Sequence, residues 1–120
     1  MADPVVHFEI THKDAEQLRS FYEEVFSWKI NTIPGPVDYA TVDAAEGGIA
    51  GGIGGVPDEN YPGHVTFYVQ VDDPAETLKK IEERGGKTLM GPDQVPGGPT
   101  IALFNDPSGN MVGLVKGDMS

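Results

Sequence analysis

Val5–Ile10 alternates at period two. Val6, Phe8 and Ile10 fall on one face; Val5, His7 and Glu9 fall on the other. That pattern predicts a half-buried strand. Asp14 follows as an N-cap, with Gln17 three residues on, as in a capping box. Leu18, Phe21, Tyr22 and Val25 then share one helical face, and the pattern runs to about Trp28. Short strands are expected over Lys29–Ile33 and Val37–Asp43, with Pro34-Gly35-Pro36 as the turn between them. Gly47–Val56 is too rich in glycine for a helix and predicts a bare or bulged strand.

The series then repeats. His64–Val71 alternates, with Val65, Phe67, Val69 and Val71 on one face and His64, Thr66, Tyr68 and Gln70 on the other. Asp73 and Pro74 open a second helix as N-cap and N1, its apolar stripe is Ala75, Leu78 and Ile81, and Gly85-Gly86 stops it. Three strands follow, at Lys87–Met90, Thr100–Phe104 and Met111–Val115. Asp106-Pro107-Ser108-Gly109 has the preferences of a type I turn and makes the last two a hairpin. The order is β-α-β-β-β twice, with His7 and His64 at the same place in each copy. An internal repeat of about 57–60 residues is the main organisational signal. The fold class is therefore α+β. We expect a single domain over 1–120, with module one at about 4–57 and module two at about 62–117. One helix covers one face of each module. The opposite faces are too polar for an ordinary core, and two curved mixed sheets would place them in a shared cup.

Composition narrows the function classes. The net charge is 8 − 19 = −11, which disfavours nucleic acid and anionic lipid as partners. The absence of cysteine excludes disulfides, a thiol nucleophile and Cys-ligated metal, and it fits a reducing compartment. Apolar runs fall far short of the ~18–20 residues of a transmembrane helix. Residues 1–7 lack a basic and apolar leader, so a cytoplasmic protein is expected. Gly86-Lys87-Thr88 fails as a phosphate loop because Ile81 stands where a glycine is required. Ser20, Ser27, Ser108 and Ser120 lack a nucleophile-elbow context.

The His7-Phe-Glu-Ile strand, the helix ending Phe21-Tyr22-x-x-Val25-Phe26-x-Trp28, the strand opening Gly63-His64-Val65 and the Asp106-Pro107-x-Gly109-Asn110-x-x-Gly113-Leu114 hairpin together resemble the vicinal oxygen chelate superfamily. That group includes lactoylglutathione lyase, extradiol dioxygenases and bleomycin-resistance proteins. The resemblance spans nearly the whole chain and is closest to small lactoylglutathione-lyase-related proteins. Ser27 departs from it, standing where relatives commonly carry glycine. The resemblance implies a homodimer and a divalent metal held by His or Gln on the first strand of each module and Glu on the fourth. His7 and His64 match the first-strand positions. The fourth-strand positions fall within Gly47–Val56 and at Gly113, where no ligand occurs. Two of four ligands are present, which argues against classical lactoylglutathione lyase and extradiol dioxygenase activity.

Glu9 starts ~6.5–7 Å from His7 on the same strand face. His7, Glu9 and His64 are thus the candidate catalytic residues and the only candidate metal set, a weak or incomplete divalent site. Thr66, Tyr68 and Gln70 are candidate ligand-binding residues. No cofactor is expected. The expected function is binding of a small organic ligand in the cup, with lyase or isomerase chemistry if the protein is an enzyme. The alternative is non-catalytic sequestration of a cationic drug-like molecule, which the net charge favours.

Overall fold

A computed structural model describes residues 2–35, 38–56, 63–95 and 97–117. Pro36 and Val37 of the expected turn and strand, and the expected module edges at 57 and 62, lie outside the described residues. The chain forms two compact units: His7–Val65, and the chain up to Val6 together with that from Thr66 onward.

The first unit is built from β1 (Val5–Thr11, whose first two residues belong to the second unit), α1 (Ala15–Phe26), β2 (Ile30–Thr32), β3 (Tyr39–Val42) and β4 (Ala50–Gly54), in strand order β2-β3-β4-β1. β1 pairs with β4 in parallel, and the other neighbours are antiparallel. The parallel pair places Glu9 opposite Gly52 and Thr11 opposite Gly54. The Asp14 carboxylate accepts the Gln17 N–H at 3.2 Å and so satisfies one orphan amide of α1. The core lies on the α1 side of the sheet. Ile10, Ala15, Val42 and Ile53 are buried there, with Phe8, Leu18, Tyr22, Trp28 and Ile30 packed against them. The odd-numbered residues of β1, His7, Glu9 and Thr11, therefore point to the other face.

The expected α1 stripe is only half used. Leu18 and Tyr22 pack on the core, but Phe21 is 53% exposed and Val25 54%. The buried line runs Ala15, Leu18, Tyr22; Phe21 sits on its edge, and Val25 lies in the last turn. The helix also ends sooner than the pattern suggests. Ser27 takes a left-handed conformation (φ 58°, ψ 30°), and its N–H bonds the Glu23 carbonyl at 2.9 Å. A Cβ is unfavourable there by about 1 kcal/mol, which is the physical reason glycine suits the position. Ser27→Gly is expected to stabilise the protein by roughly 0.5–1 kcal/mol, read as a higher urea midpoint at unchanged m.

The second unit is built from β5 (His64–Val71), α2 (Pro74–Glu83), β6 (Lys87–Gln94), β7 (Thr100–Asn105) and β8 (Met111–Lys116), in order β5-β8-β7-β6. The first two residues of β5 belong to the first unit. β5 and β8 are parallel; β8-β7 and β7-β6 are antiparallel. Asp73 caps α2 through the Glu76 N–H at 3.2 Å. Val71, Leu78, Ala102 and Leu114 form the core, joined by Val69, Ile81 and Phe104. Ala75, expected in the buried stripe, is exposed; the buried residue at that end is Pro74. β6 outruns the expected stop at Met90 and reaches Gln94 through two register shifts. It closes one end of this strand order, where Pro92 removes no ladder donor that matters. In the β7–β8 turn the Asp106 carboxylate accepts from the Ser108 and Asn110 N–H groups at 2.9 Å. The Asn110 side-chain amide, followed by its backbone N–H, holds that carboxyl below the usual carboxylate range.

Candidate functional site

The polar face of the first unit carries a connected set of side chains. His7 and Glu9 stand two residues apart on β1, and Tyr39 reaches across from β3. The Tyr39 hydroxyl lies 3.2 Å from His7 Nε2 and donates to Glu9 Oε2 at 3.3 Å. The other Glu9 oxygen, Oε1, faces His64 Nε2 at 4.0 Å. His64 Nδ1 is 3.1 Å from the hydroxyl of Thr11. The side chains of His64 and Glu9 are 24% and 19% exposed, so the set opens to solvent while being largely shielded from it.

Burial lowers the pKa of both His7 and His64. The 4.0 Å approach of Glu9 does not outweigh that desolvation, so the His64 ring in this contact is neutral near pH 7. The consequence for stability has a definite sign. The unfolded chain takes up protons at the ordinary histidine value of 6.5, before the folded chain does. Stability is therefore fully present above that pH and falls as pH drops through the folded-state values. Urea midpoints measured from about pH 7.5 to pH 5 are expected to decline, and the decline is expected to flatten in His7→Gln/His64→Gln.

Tyr39 was not singled out by the sequence pattern, and it organises the site. It pairs with Gly54 across the β3–β4 ladder. A Cβ on Gly52 would collide with the Tyr39 hydroxyl, and one on Gly54 would meet the same ring at 2.5 Å. The tyrosine thus occupies the space into which β4 would otherwise project side chains. Its signal was an aromatic residue cross-strand from glycine.

Thr66, Tyr68 and Gln70 belong to the other unit. The Thr66 hydroxyl donates to the Met111 carbonyl at 2.7 Å, and the Gln70 side-chain amide donates to the Gly117 carbonyl. Tyr68 is 6% exposed and lies over Gly113, whose Cβ would collide with the ring. The burial of this strand reverses the expectation over Val65–Tyr68, while Val69 and Val71 join the core as expected. Thr66 and Tyr68 are buried, while Phe67 is 42% exposed. Val65, placed in the first unit, is 72% exposed. The hydrogen bond to Met111 and the bare surface of Gly113 are what make room for the polar face.

These positions test the implied metal set. The described residues contain no group of three His, Cys, Asp or Glu side chains arranged to hold an ion. Both fourth strands present glycine on the relevant face, and each glycine is covered by a tyrosine ring. The residues do not fit a four-ligand set with a carboxylate from each fourth strand.

Residues 5–114 match the Glyoxalase/Bleomycin resistance protein/Dioxygenase superfamily. The chain belongs to that superfamily. A Glyoxylase-like domain-containing protein of Didymella fabae is 30% identical over 116 residues, covering 85% of this chain and 84% of that protein. A hypothetical protein from Bacillus halodurans has the same fold at a TM-score of 0.77, with 13% identity over 100% of this chain and 98% of that one. A variant of Streptomyces coelicolor methylmalonyl-CoA epimerase in complex with 2-nitronate-propionyl-CoA gives 0.71 at 17% identity, covering 97% and 95%. These structures establish the α+β superfamily fold for this chain. No helix among the described residues is long and apolar enough to cross a membrane.

Proposed function

We propose that this superfamily member binds a small organic molecule on the polar face of the His7–Val65 unit and moves a proton on it, as a lyase or isomerase, without a resident metal. The observation that carries this reading is the hydrogen-bonded run His7–Tyr39–Glu9, with His64 Nε2 facing the second carboxylate oxygen, Oε1, at 4.0 Å. That distance is too long for a direct hydrogen bond between the two groups. Glu9 supplies the acceptor for a proton. The neutral rings of His7 and His64 can each give or take one near neutral pH. Tyr39 fixes the carboxylate. Isomerase chemistry is also in keeping with the Streptomyces neighbour, an epimerase. A net charge of −11 weighs against its polyanionic thioester as the ligand here, and favours neutral or cationic molecules.

Native mass spectrometry of freshly purified protein would give the mass of a co-purified ligand and test the homodimer we propose, for which Phe21, Val25 and Phe26 supply exposed apolar surface. Incubation of small hydroxycarbonyl compounds in deuterated buffer tests the chemistry. Deuterium should enter at carbon, and Glu9→Gln should slow that exchange by roughly 10²–10⁴-fold. Saturable binding of a molecule that never exchanges would favour the second reading, sequestration of a cationic ligand, which rests on the net charge.

A further inference from the structure

Tyr39 does more than fill space beside Gly52. Its single hydroxyl proton goes to Glu9 Oε2, so at 3.2 Å the bond with His7 must use a proton carried on His7 Nε2. A ring nitrogen that carries a proton has no lone pair for a metal. The same hydroxyl occupies one oxygen of Glu9. Thus one side chain engages two of the three candidate ligands at the atoms a cation would need. The phenol oxygen itself stands 3.2 Å from His7 Nε2 and 3.3 Å from Glu9 Oε2. Shifts of about 1 Å would bring those atoms to the ~2.0–2.2 Å of zinc bonds, if the oxygen were gone.

We infer that the Tyr39 hydroxyl excludes divalent metal from this site and positions His7 and Glu9 for work without one. The positioning half of this rests on the proton-transfer reading above; the exclusion half does not. Tyr39→Phe separates hydroxyl from ring, because phenylalanine still covers Gly52 and Gly54. Zinc titration of the full chain by calorimetry should show affinity rising roughly 10–100-fold in Tyr39→Phe, the range by which hydrogen-bond partners of a ligand tune metal binding. Adding His7→Ala should abolish the gain, and the thermal midpoint of Tyr39→Phe should stay near that of the unaltered protein. Unaltered protein that binds zinc as tightly as Tyr39→Phe would overturn the inference. A second measurement needs no variant. Long-range proton–nitrogen correlation spectra should show His7 as the Nε2–H tautomer, and an Nδ1–H tautomer would overturn it equally. Absence of the zinc gain with deuterium exchange retained would defeat exclusion alone. A zinc gain with no exchange on any compound would instead defeat the proton-transfer reading.

Discussion

Ile53→Ala is expected to destabilise the protein by about 2–5 kcal/mol, measured by urea unfolding at constant pH. Ile53 is wholly buried, opposite Ile10 on β1 and Ala40 on β3. It is also the only non-glycine side chain of β4 after Ala50. Gly51 cannot fill the loss, because the Phe8 ring already rests against its backbone. The cavity would therefore stay open on the α1 side, which is the condition under which such truncations cost most. A loss below about 1 kcal/mol would show that Phe8 or Trp28 collapses into the space, and would contradict the packing described. The site would suffer indirectly, since β4 carries the ladder on which both β1 and Tyr39 are set.

The second large effect separates two glycines of similar appearance. Gly113→Ala is expected to cost roughly 1–3 kcal/mol, the range for overpacking a well-filled interior. Its new methyl would meet Tyr68 at ring carbons that include the ring's root, and Tyr68 is 6% exposed, so the ring has nowhere to swing. Gly52→Ala presents its methyl to the far end of the half-buried Tyr39, which can rotate aside. That variant should lose much less stability. It should instead break the contacts of Tyr39 with His7 and Glu9, seen as a change in the His7 ring resonances. Equal stability losses in the two variants would show that Tyr39 is as confined as Tyr68.

Both helices were legible because each carries redundant local signals, a capping aspartate and an apolar stripe, and α2 adds a glycine stop that α1 lacks. Asp73-Pro74 and Gly85-Gly86 place α2 almost to the residue. His7, Glu9 and His64 were legible as a group because period-two alternation sets them on one face of their strands. Alternation does not say which face is covered, however. In β5 all four apolar positions looked like the core; Val69 and Val71 are, but at the start of the strand the structure buries Thr66 and Tyr68 in place of Val65 and Phe67. That outcome depends on what stands opposite, namely the Met111 carbonyl and Gly113, some 45 residues away in sequence. Tyr39 was missed for the same reason. A four-residue strand has too few positions to show a period, and the role of its tyrosine exists only relative to glycines on the neighbouring strand.

β4 has an unusual composition for a strand paired on both edges. Its backbone is hydrogen-bonded to β1 on one side and β3 on the other, yet glycines make up three of its five residues. Aromatic rings from other strands screen those amides, Phe8 over Gly51 on one face and Tyr39 over Gly52 and Gly54 on the other. Amide exchange at Gly51 and at Gly52 is therefore tied to two different ring motions within one strand. The strand acts as a two-sided gauge: exchange at Gly51 follows the loosening of the core, and exchange at Gly52 follows the opening of the site.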